Sequence, residues 1–350
     1  MRVLHVDSGR EYRGGQDQVR LLMRELGREA GVDQRLVTKR DSELARRAAL
    51  AGHTVRGVPW ALGLDPRASW RIVVEAMAWP PDIIHAHNAH AVTLAVWAQR
   101  FLGLAGRAPR LVATRRVVFP VRRGSALRRA DLVIAISDAA RSTLLAAGFA
   151  PAEVTVVRSG IDPDEVRRAA APPLTIRETL GLPAGTPVVA NVAALERPKD
   201  QRTLIHAAHM ARSSRPDIHW VIAGDGPERR ALDAEVRRLA LADRVHLLGH
   251  VARADALLAE SDVIVMSSLA EGLGTVVLRA LALGKPVVAT AGGGLPEVVA
   301  SDWIVPVGDA RALAQKVIQA LDHPSPFPLP RQFTASTMAA GVLAVYRSLV

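Results

Sequence analysis

The segment "EGLGTVVLRALALGKPVVATAGGGLPEVV", Glu271 to Val299, decides how this chain is read. An acidic residue and a glycine-rich turn open a helix, and a short apolar strand and a second glycine-rich turn follow. Gly272 and Gly274 allow close backbone approach. The helix start at Thr275 presents N–H groups that lack intrahelical partners and carry positive partial charge. That is a seat for phosphate, to which Thr275 adds a hydroxyl, while Glu271 can accept hydrogen bonds from sugar hydroxyls. The same residues also fit a plain strand-to-helix turn, so the segment alone is weak. Eight residues after Glu271, where a second carboxylate would complete the pattern, stands Arg279.

Outward from this segment, β-rich runs alternate with helix-length amphipathic runs. "RVLHVD", "QRLVTK", "HTVRGVP", "DIIHAH", "RLVATR", "DLVIAIS" and "EVTVVRSG" read as strands of a first half. "VVANVAAL", "IHWVIAGDG", "RVHLLGH", "VIVMSS", "KPVVAT" and "DWIVPVG" read as strands of a second. Apolar strands separated by helices predict parallel sheets covered on both faces. The Pro- and Gly-rich stretch 160–187 interrupts the pattern. The expectation is therefore α/β, with two doubly wound Rossmann-like domains, 1–165 and 175–328, facing a cleft at the carboxyl ends of their strands. After the Pro-rich link "HPSPFPLPRQF", a helix within about 330–350 is expected to cross back to the first domain.

The chain has 350 residues, no Cys and a formal net charge of +11. A cysteine-free chain has no disulfide framework, thiolate metal site or Cys nucleophile, and suits a reducing cytoplasm. The start "MRVLHVDSG" reads as a buried strand rather than a signal peptide, and no apolar run reaches membrane-span length. The charge points to an anionic partner, but aromatic residues at 4% leave few stacking platforms, and no nucleic-acid-binding motif is present. A small phosphorylated molecule or an anionic membrane surface is expected, and no nucleic acid.

Other loops match the first. "GDGPER" places Gly224 and Gly226 between a strand and a helix, "ERPKD" places Arg197 and Lys199 in another, and "YRGGQDQV" sets Gly14, Gly15 and Gln16 before a helix. Several anion-friendly loops on one edge of two sheets imply a diphosphate ligand. With "DIIHAHN", "ADLVIAISDAARSTL", "VVRSGIDP" and "RVHLLGHV" in order, the chain resembles, over nearly its whole length, the retaining family 4 (group 1) glycosyltransferases of GT-B fold. The resemblance implies transfer from a nucleotide diphosphate sugar bound to the second domain, to an acceptor on the first, without a cofactor or an essential metal.

Carried over residue by residue, Glu271 matches the first Glu of the family's Glu-x7-Glu motif, and Gly272, Leu273, Gly274 and Thr275 match its phosphate cradle. Lys199, supported by Arg197, matches the group that neutralises the diphosphate. Gly14, Gly15 and Gln16 match the loop near phosphate and acceptor, and Gly224 and Gly226 belong to the donor side. Three positions depart: Arg279 replaces the second Glu, Ala194 replaces an Arg, and Arg116 replaces a His. Arg279 lacks the acceptor atoms that a carboxylate gives a ribose diol, but donates to anionic groups. Arg115 and Arg116 are expected to favour the same chemistry from the first domain.

Residues 107–129 carry eight Arg and no acidic residue, mixed with Val117, Val118, Phe119 and Val121. They fit a phosphorylated or lipid-linked acceptor, an anionic membrane surface, or a solvated basic loop. "HAHNAH" clusters His85, His87 and His90 without a completing carboxylate or Cys, so these read as substrate-facing, with His87 the candidate, or as hydrogen-bonded structural histidines, and no metal is expected. Together these give a cytoplasmic enzyme, peripheral on the inner face of the membrane, that moves a sugar to a cell-envelope or lipid-linked acceptor. The rival readings are a same-fold nucleotide-sugar epimerase or hydrolase, and a catalytically silent binder.

Overall fold

The computed structural model describes residues 1–60, 66–323 and 327–350, so residues 324–326 of the Pro-rich link lie outside the described residues. The chain divides into two compact units, Met1–Gly160 with Gln332–Val350, and Ile161–Arg331.

The first unit runs β1 (Arg2–Asp7), α1 (Gly14–Leu26), β2 (Asp33–Lys39), α2 (Glu43–Leu50), β3 (Thr54–Val58) and α3 (Pro66–Ala78). It continues with β4 (Ile83–Ala86), α4 (Ala89–Leu104), β5 (Arg110–Arg115), β6 (Leu132–Ala135), α5 (Asp138–Ala146) and β7 (Val154–Val156). Seven parallel strands lie in the order β3-β2-β1-β4-β5-β6-β7. Alternation along each strand sends neighbouring side chains to opposite faces. Leu4, Val6, Ile84 and Ala113 therefore join the core under α3 and α4, while Val3, Ile83 and Val112 join the core under α1 and the C-terminal helix.

The second unit runs α6 (Pro163–Ala170), α7 (Ile176–Thr179), β8 (Val188–Val192), α8 (Gln201–Ala211), β9 (His219–Ala223), α9 (Arg229–Arg238) and β10 (Val245–Gly249). Then come α10 (Ala254–Glu260), β11 (Val263–Met266), α11 (Thr275–Ala282), β12 (Val287–Thr290), β13 (Ile304–Val305) and α12 (Ala310–Asp322). Its six strands lie in the order β10-β9-β8-β11-β12-β13, all parallel. Val189, Val263, Val265 and Val288 pack one face against Leu204, Leu313 and Val317 of α8 and α12. Val188, Val221 and Ala223 meet Ile176 and Leu257 on the other.

Helix α13 (Ala335–Arg347) packs on α1, so the chain does cross back to its first unit. The return is fixed where residue 160 passes residue 334. A side chain at Gly160 would overlap the Thr334 carbonyl, and Gln18 holds both backbone groups of Gly160, donating to its oxygen at 2.7 Å and accepting from its nitrogen at 3.0 Å.

Candidate active site

In a doubly wound sheet, a crevice opens where the strand order reverses, because the loops on its two sides leave in opposite directions. In the second unit that point lies between β8 and β11. The loop after β8 carries Arg197 and Lys199, and the loop after β11 carries Glu271. Leu269 donates its N–H to the Pro198 carbonyl at 2.9 Å, and Ser267 Oγ donates to the Lys199 carbonyl at 3.0 Å. Lys199 Nζ then pairs with Glu271 Oε2, both side chains keeping partial exposure. Glu271 Oε1 accepts from the Gly272 N–H at 3.2 Å. Arg197 is exposed beside them.

The second glycine-rich turn supports the first. Gly294 donates its N–H to the Glu271 carbonyl at 2.9 Å, and a Cβ at Gly292, Gly293 or Gly294 would overlap the backbone of Ser268, Glu271 or Gly272. Gly274 starts α11 at φ 86°, where a Cβ would sit 2.9 Å from Leu295 Cδ2. Having no side chain, Gly274 cannot cap the helix, whereas Asp200 caps α8 and Asp309 caps α12. The first-turn N–H groups of α11 thus open beside the Lys199–Glu271 pair, Thr275 is half-buried there, and Leu273 is buried beneath. An anion at this position would meet a helix start and a lysine together.

Gly224 and Gly226 have φ of 145° and 158°, and side chains there would overlap the Ala193 and Leu195 carbonyls. Their observed work is to let the loops after β8 and β9 touch. Ala194 lends its carbonyl to Gln201 at 3.0 Å. Arg279 is held by Asp255 of α10: Nε donates to Oδ1 at 2.6 Å and Nη2 donates to Oδ2. Asp255 is buried, so the pair ties α11 to α10.

In the first unit the reversal lies between β1 and β4. Asp7, buried at the end of β1, accepts from the Gly9 N–H at 2.8 Å, Gln16 Nε2 at 3.2 Å and Asn88 Nδ2 at 3.0 Å. Asn88 Oδ1 accepts from Ser8 Oγ at 2.6 Å and caps α4 at Ala91. Gly14 opens α1, and the Arg116 side chain lies against Gly15: a Cβ there would sit 3.6 Å from Arg116 Cδ. Burial lowers the Arg116 guanidinium to about 10, an effect the Asp7 carboxylate opposes, so it stays protonated near neutral pH. Arg115 donates to the Phe119 carbonyl.

His87 turns inward. It is buried against His5 and His85, and His5 Nδ1 lies 3.0 Å from His87 Nε2. His85 is held by Tyr346 at 2.6 Å and Thr114 at 2.7 Å, and His5 by Gln34 at 3.0 Å. Burial pushes all three imidazoles down, His5 to about 4 and the others well below their ordinary value. His5, not His90, completes the cluster, and its ligand-capable atoms lie within 4.8 Å of one another. The Tyr346 and Thr114 hydroxyls occupy both nitrogens of His85, and the His87 ring and the Gln34 amide occupy those of His5, which fits a hydrogen-bonded core better than a metal centre.

Sequence reasoning passed over Asp7, Asn88 and Asp255. Asp7 left a signal, a carboxylate at the carboxyl end of a buried strand. Asp255 left none, since only the folded α10 and α11 bring it to Arg279.

Residues 12–165 match the family Glycosyltransferase Family 4, and residues 174–337 match Glycosyl transferases group 1. The 2-deoxystreptamine glucosyltransferase of Streptomyces kanamyceticus is 30% identical over 208 residues, 57% of this chain and 54% of that protein. A putative colanic acid biosynthesis glycosyltransferase of Escherichia coli K12 is 31% identical over 54% of this chain and 47% of that protein. The chain thus spans about half the length of these curated relatives. Among solved structures, Anabaena HepE in complex with UDP-glucose superposes with a TM-score of 0.78 at 23% identity, covering 100% of this chain and 98% of that one. With both halves of the chain matched in order, and the fold shared, the protein belongs to the group 1, family 4 glycosyltransferases of GT-B fold.

Proposed function

We propose that the chain transfers a glycosyl group from a nucleotide diphosphate sugar to a lipid-linked or saccharide acceptor of the cell envelope, with retention of configuration and without an essential metal. The observation that carries this is the Lys199–Glu271 pair beside the open start of α11. Lys199 has three N–H donors, enough to keep Glu271 and also meet a diphosphate. As the bond from the anomeric carbon to phosphate oxygen breaks, its electron pair passes to the departing diphosphate. Lys199, Arg197 and the N–H groups at Gly274–Thr275 stabilise that charge. The acceptor hydroxyl bonds to the anomeric carbon from the same face and gives its proton to the departing phosphate, so no protein general base is required.

Glu271 takes the donor-sugar hydroxyls, and Gly272, Leu273, Gly224 and Gly226 shape the cradle. Gly14, Gly15, Gln16, Arg115 and Arg116 form the acceptor side, with His87 packed beneath it. Arg279 denies the donor a carboxylate at its position, which sets this chain's donor preference apart from members with two acidic residues. UDP-glucose, the ligand of the HepE complex, is the first donor to try. The protein is placed on the cytoplasmic side at an anionic membrane surface; no helix among the described residues is long and apolar enough to cross a membrane. Calorimetric titration of a panel of nucleotide sugars tests the donor side. Saturable binding of one donor supports the proposal, and no binding across the panel removes it.

A further inference from the structure

Helices α3 and α4 pack side by side on the same face of the first sheet, both burying residues in one core. Each follows a parallel strand, so they run in the same direction and turn their remaining faces the same way, away from the sheet. On α3 that outward face carries Trp70, Val74 and Met77, and on α4 it carries Trp97, Phe101 and Leu104. Both triplets have the same helical spacing, so each forms one stripe. Trp70 is 60% exposed, Trp97 51% and Leu104 88%. Of the thirteen exposed large apolar side chains among the described residues, six fall on this one surface. Contiguous clustering of this kind marks an interaction site, where scattered single residues would not.

The charges around the patch identify the partner. Arg67, Arg71 and Arg100 are exposed on the same helices, and Arg107 stands at the foot of α3, its Nη1 donating to the Met77 carbonyl at 3.4 Å. Helix α4 contains no acidic residue. The one carboxylate of α3, Glu75, is buried and held by Arg35 at 2.6 Å and Arg56 at 2.8 Å. Among the described residues of α3 and α4, the outer face is therefore apolar and carries exposed arginines but no exposed carboxylate. A second copy meeting this face in a symmetric pair would set arginine against arginine. An anionic bilayer supplies both the interfacial apolar layer that tryptophan prefers and the negative charge that arginine requires.

We infer that the outer face of α3 and α4, rather than the arginine-rich segment 110–129, docks the protein on an anionic lipid surface. Four of its arginines are committed elsewhere: Arg110 pairs with Asp131 at 3.2 Å, Arg115 bonds the Phe119 carbonyl, Arg116 lies against Gly15, and Arg128 bonds the Ala147 carbonyl. The inference deepens the membrane placement proposed above and does not depend on the donor site.

The test is co-sedimentation with phosphatidylglycerol-containing vesicles and with pure phosphatidylcholine vesicles, for the full chain and three variants. The parent is expected to prefer the anionic vesicles. The triple change Trp97→Ser, Phe101→Ser, Leu104→Ser and the triple change Arg67→Gln, Arg71→Gln, Arg100→Gln should each lower partitioning by about tenfold or more. Arg122→Gln with Arg123→Gln and Arg129→Gln should leave it within about twofold. Circular dichroism of each variant guards against misfolding, and the two helix variants alter different chemistry on one surface. If only the 122–129 variant loses binding, the helix surface is wrong and the membrane placement survives. If the parent binds neither vesicle, both are wrong. Concentration-dependent self-association of the parent, abolished by the apolar variant without vesicle binding, would make the face a dimer interface and overturn the inference.

Discussion

Lys199 and Glu271 meet across the point at which the strand order of the second sheet reverses, one from the loop after β8 and one from the loop after β11. Their pairing closes the crevice floor with one positive and one negative group, next to a helix start that has no side-chain cap. Lys199→Ala is expected to weaken binding of a nucleotide diphosphate by about 1.5–3 kcal/mol, the scale of a charge-assisted hydrogen bond. Glu271→Gln should weaken the nucleotide sugar more than the bare nucleotide diphosphate, since its proposed contact is to sugar hydroxyls. Calorimetry of both variants against both ligands checks this. Equal affinities for Lys199→Ala and parent would remove Lys199 from the diphosphate.

Gly292 and Gly224 should tolerate no side chain. A Cβ at Gly292 overlaps the Ser268 carbonyl, and one at Gly224 overlaps the Ala193 carbonyl while also occupying φ 145°. In both cases the obstacle is backbone, which cannot rotate away. Gly292→Ala and Gly224→Ala are each expected to cost the second unit about 2–4 kcal/mol. Chemical denaturation followed by far-UV circular dichroism reads the loss, and a change below about 0.5 kcal/mol would show that the loops can part.

Arg279 and Asp255 give a prediction that separates two variants. Arg279→Glu sets a second carboxylate against a buried one and should destabilise the protein by about 2–4 kcal/mol. The neutral pair Arg279→Gln with Asp255→Asn keeps a hydrogen bond and should stay within about 1.5 kcal/mol of the parent. If Arg279 also acts on the donor, as proposed, the neutral pair should alter the ranking of nucleotide sugars in a binding panel. An unchanged ranking would confine the arginine to clamping α11 on α10.

The histidine cluster gives the first unit a pH dependence. His5, His85 and His87 have folded-state values below the ordinary 6.5, His5 near 4, because burial penalises their charged form. Between about 4 and 6.5 the unfolded chain binds protons that the folded chain does not, so stability falls as pH falls through that window. Above about pH 7 the three rings contribute no slope. At pH 5.5 the loss should be about 1 kcal/mol per histidine. Thermal unfolding of the parent and of His87→Asn at pH 7.5 and 5.5 should show a smaller drop in the variant. Equal drops would place the acid sensitivity elsewhere.

The two-sheet architecture was legible because most strands are short apolar runs set off by helix-length amphipathic runs, and the thirteen strands among the described residues stand where the strand-like runs lie. The glycine-rich turns of the second unit were legible for the same reason: Gly272, Gly274 and Gly292–Gly294 punctuate strand and helix in one continuous segment. Partners distant in sequence were not legible. Asp255 reaches Arg279 only because α10 packs on α11, and His5 reaches His87 only because β1 lies beside β4. Strand alternation put His85 on the face that α13 covers, but that Tyr346 of α13 would meet it was settled by packing. The apolar stripes of α3 and α4 also escaped notice, because the helical spacing that buries one face says nothing about a second apolar face left outside.

Glycosyl transfer itself is tested by incubating purified protein with the nucleotide sugar it binds and a lipid-linked or saccharide acceptor, while following nucleotide diphosphate, free sugar and glycosylated product together. The proposal predicts nucleotide diphosphate and glycosylated product in equal amounts, formed only when acceptor is present, unaffected by a metal chelator and strongly reduced by Lys199→Ala. Donor that binds but is never consumed, or that yields free sugar or an epimerised nucleotide sugar in place of product, would contradict it.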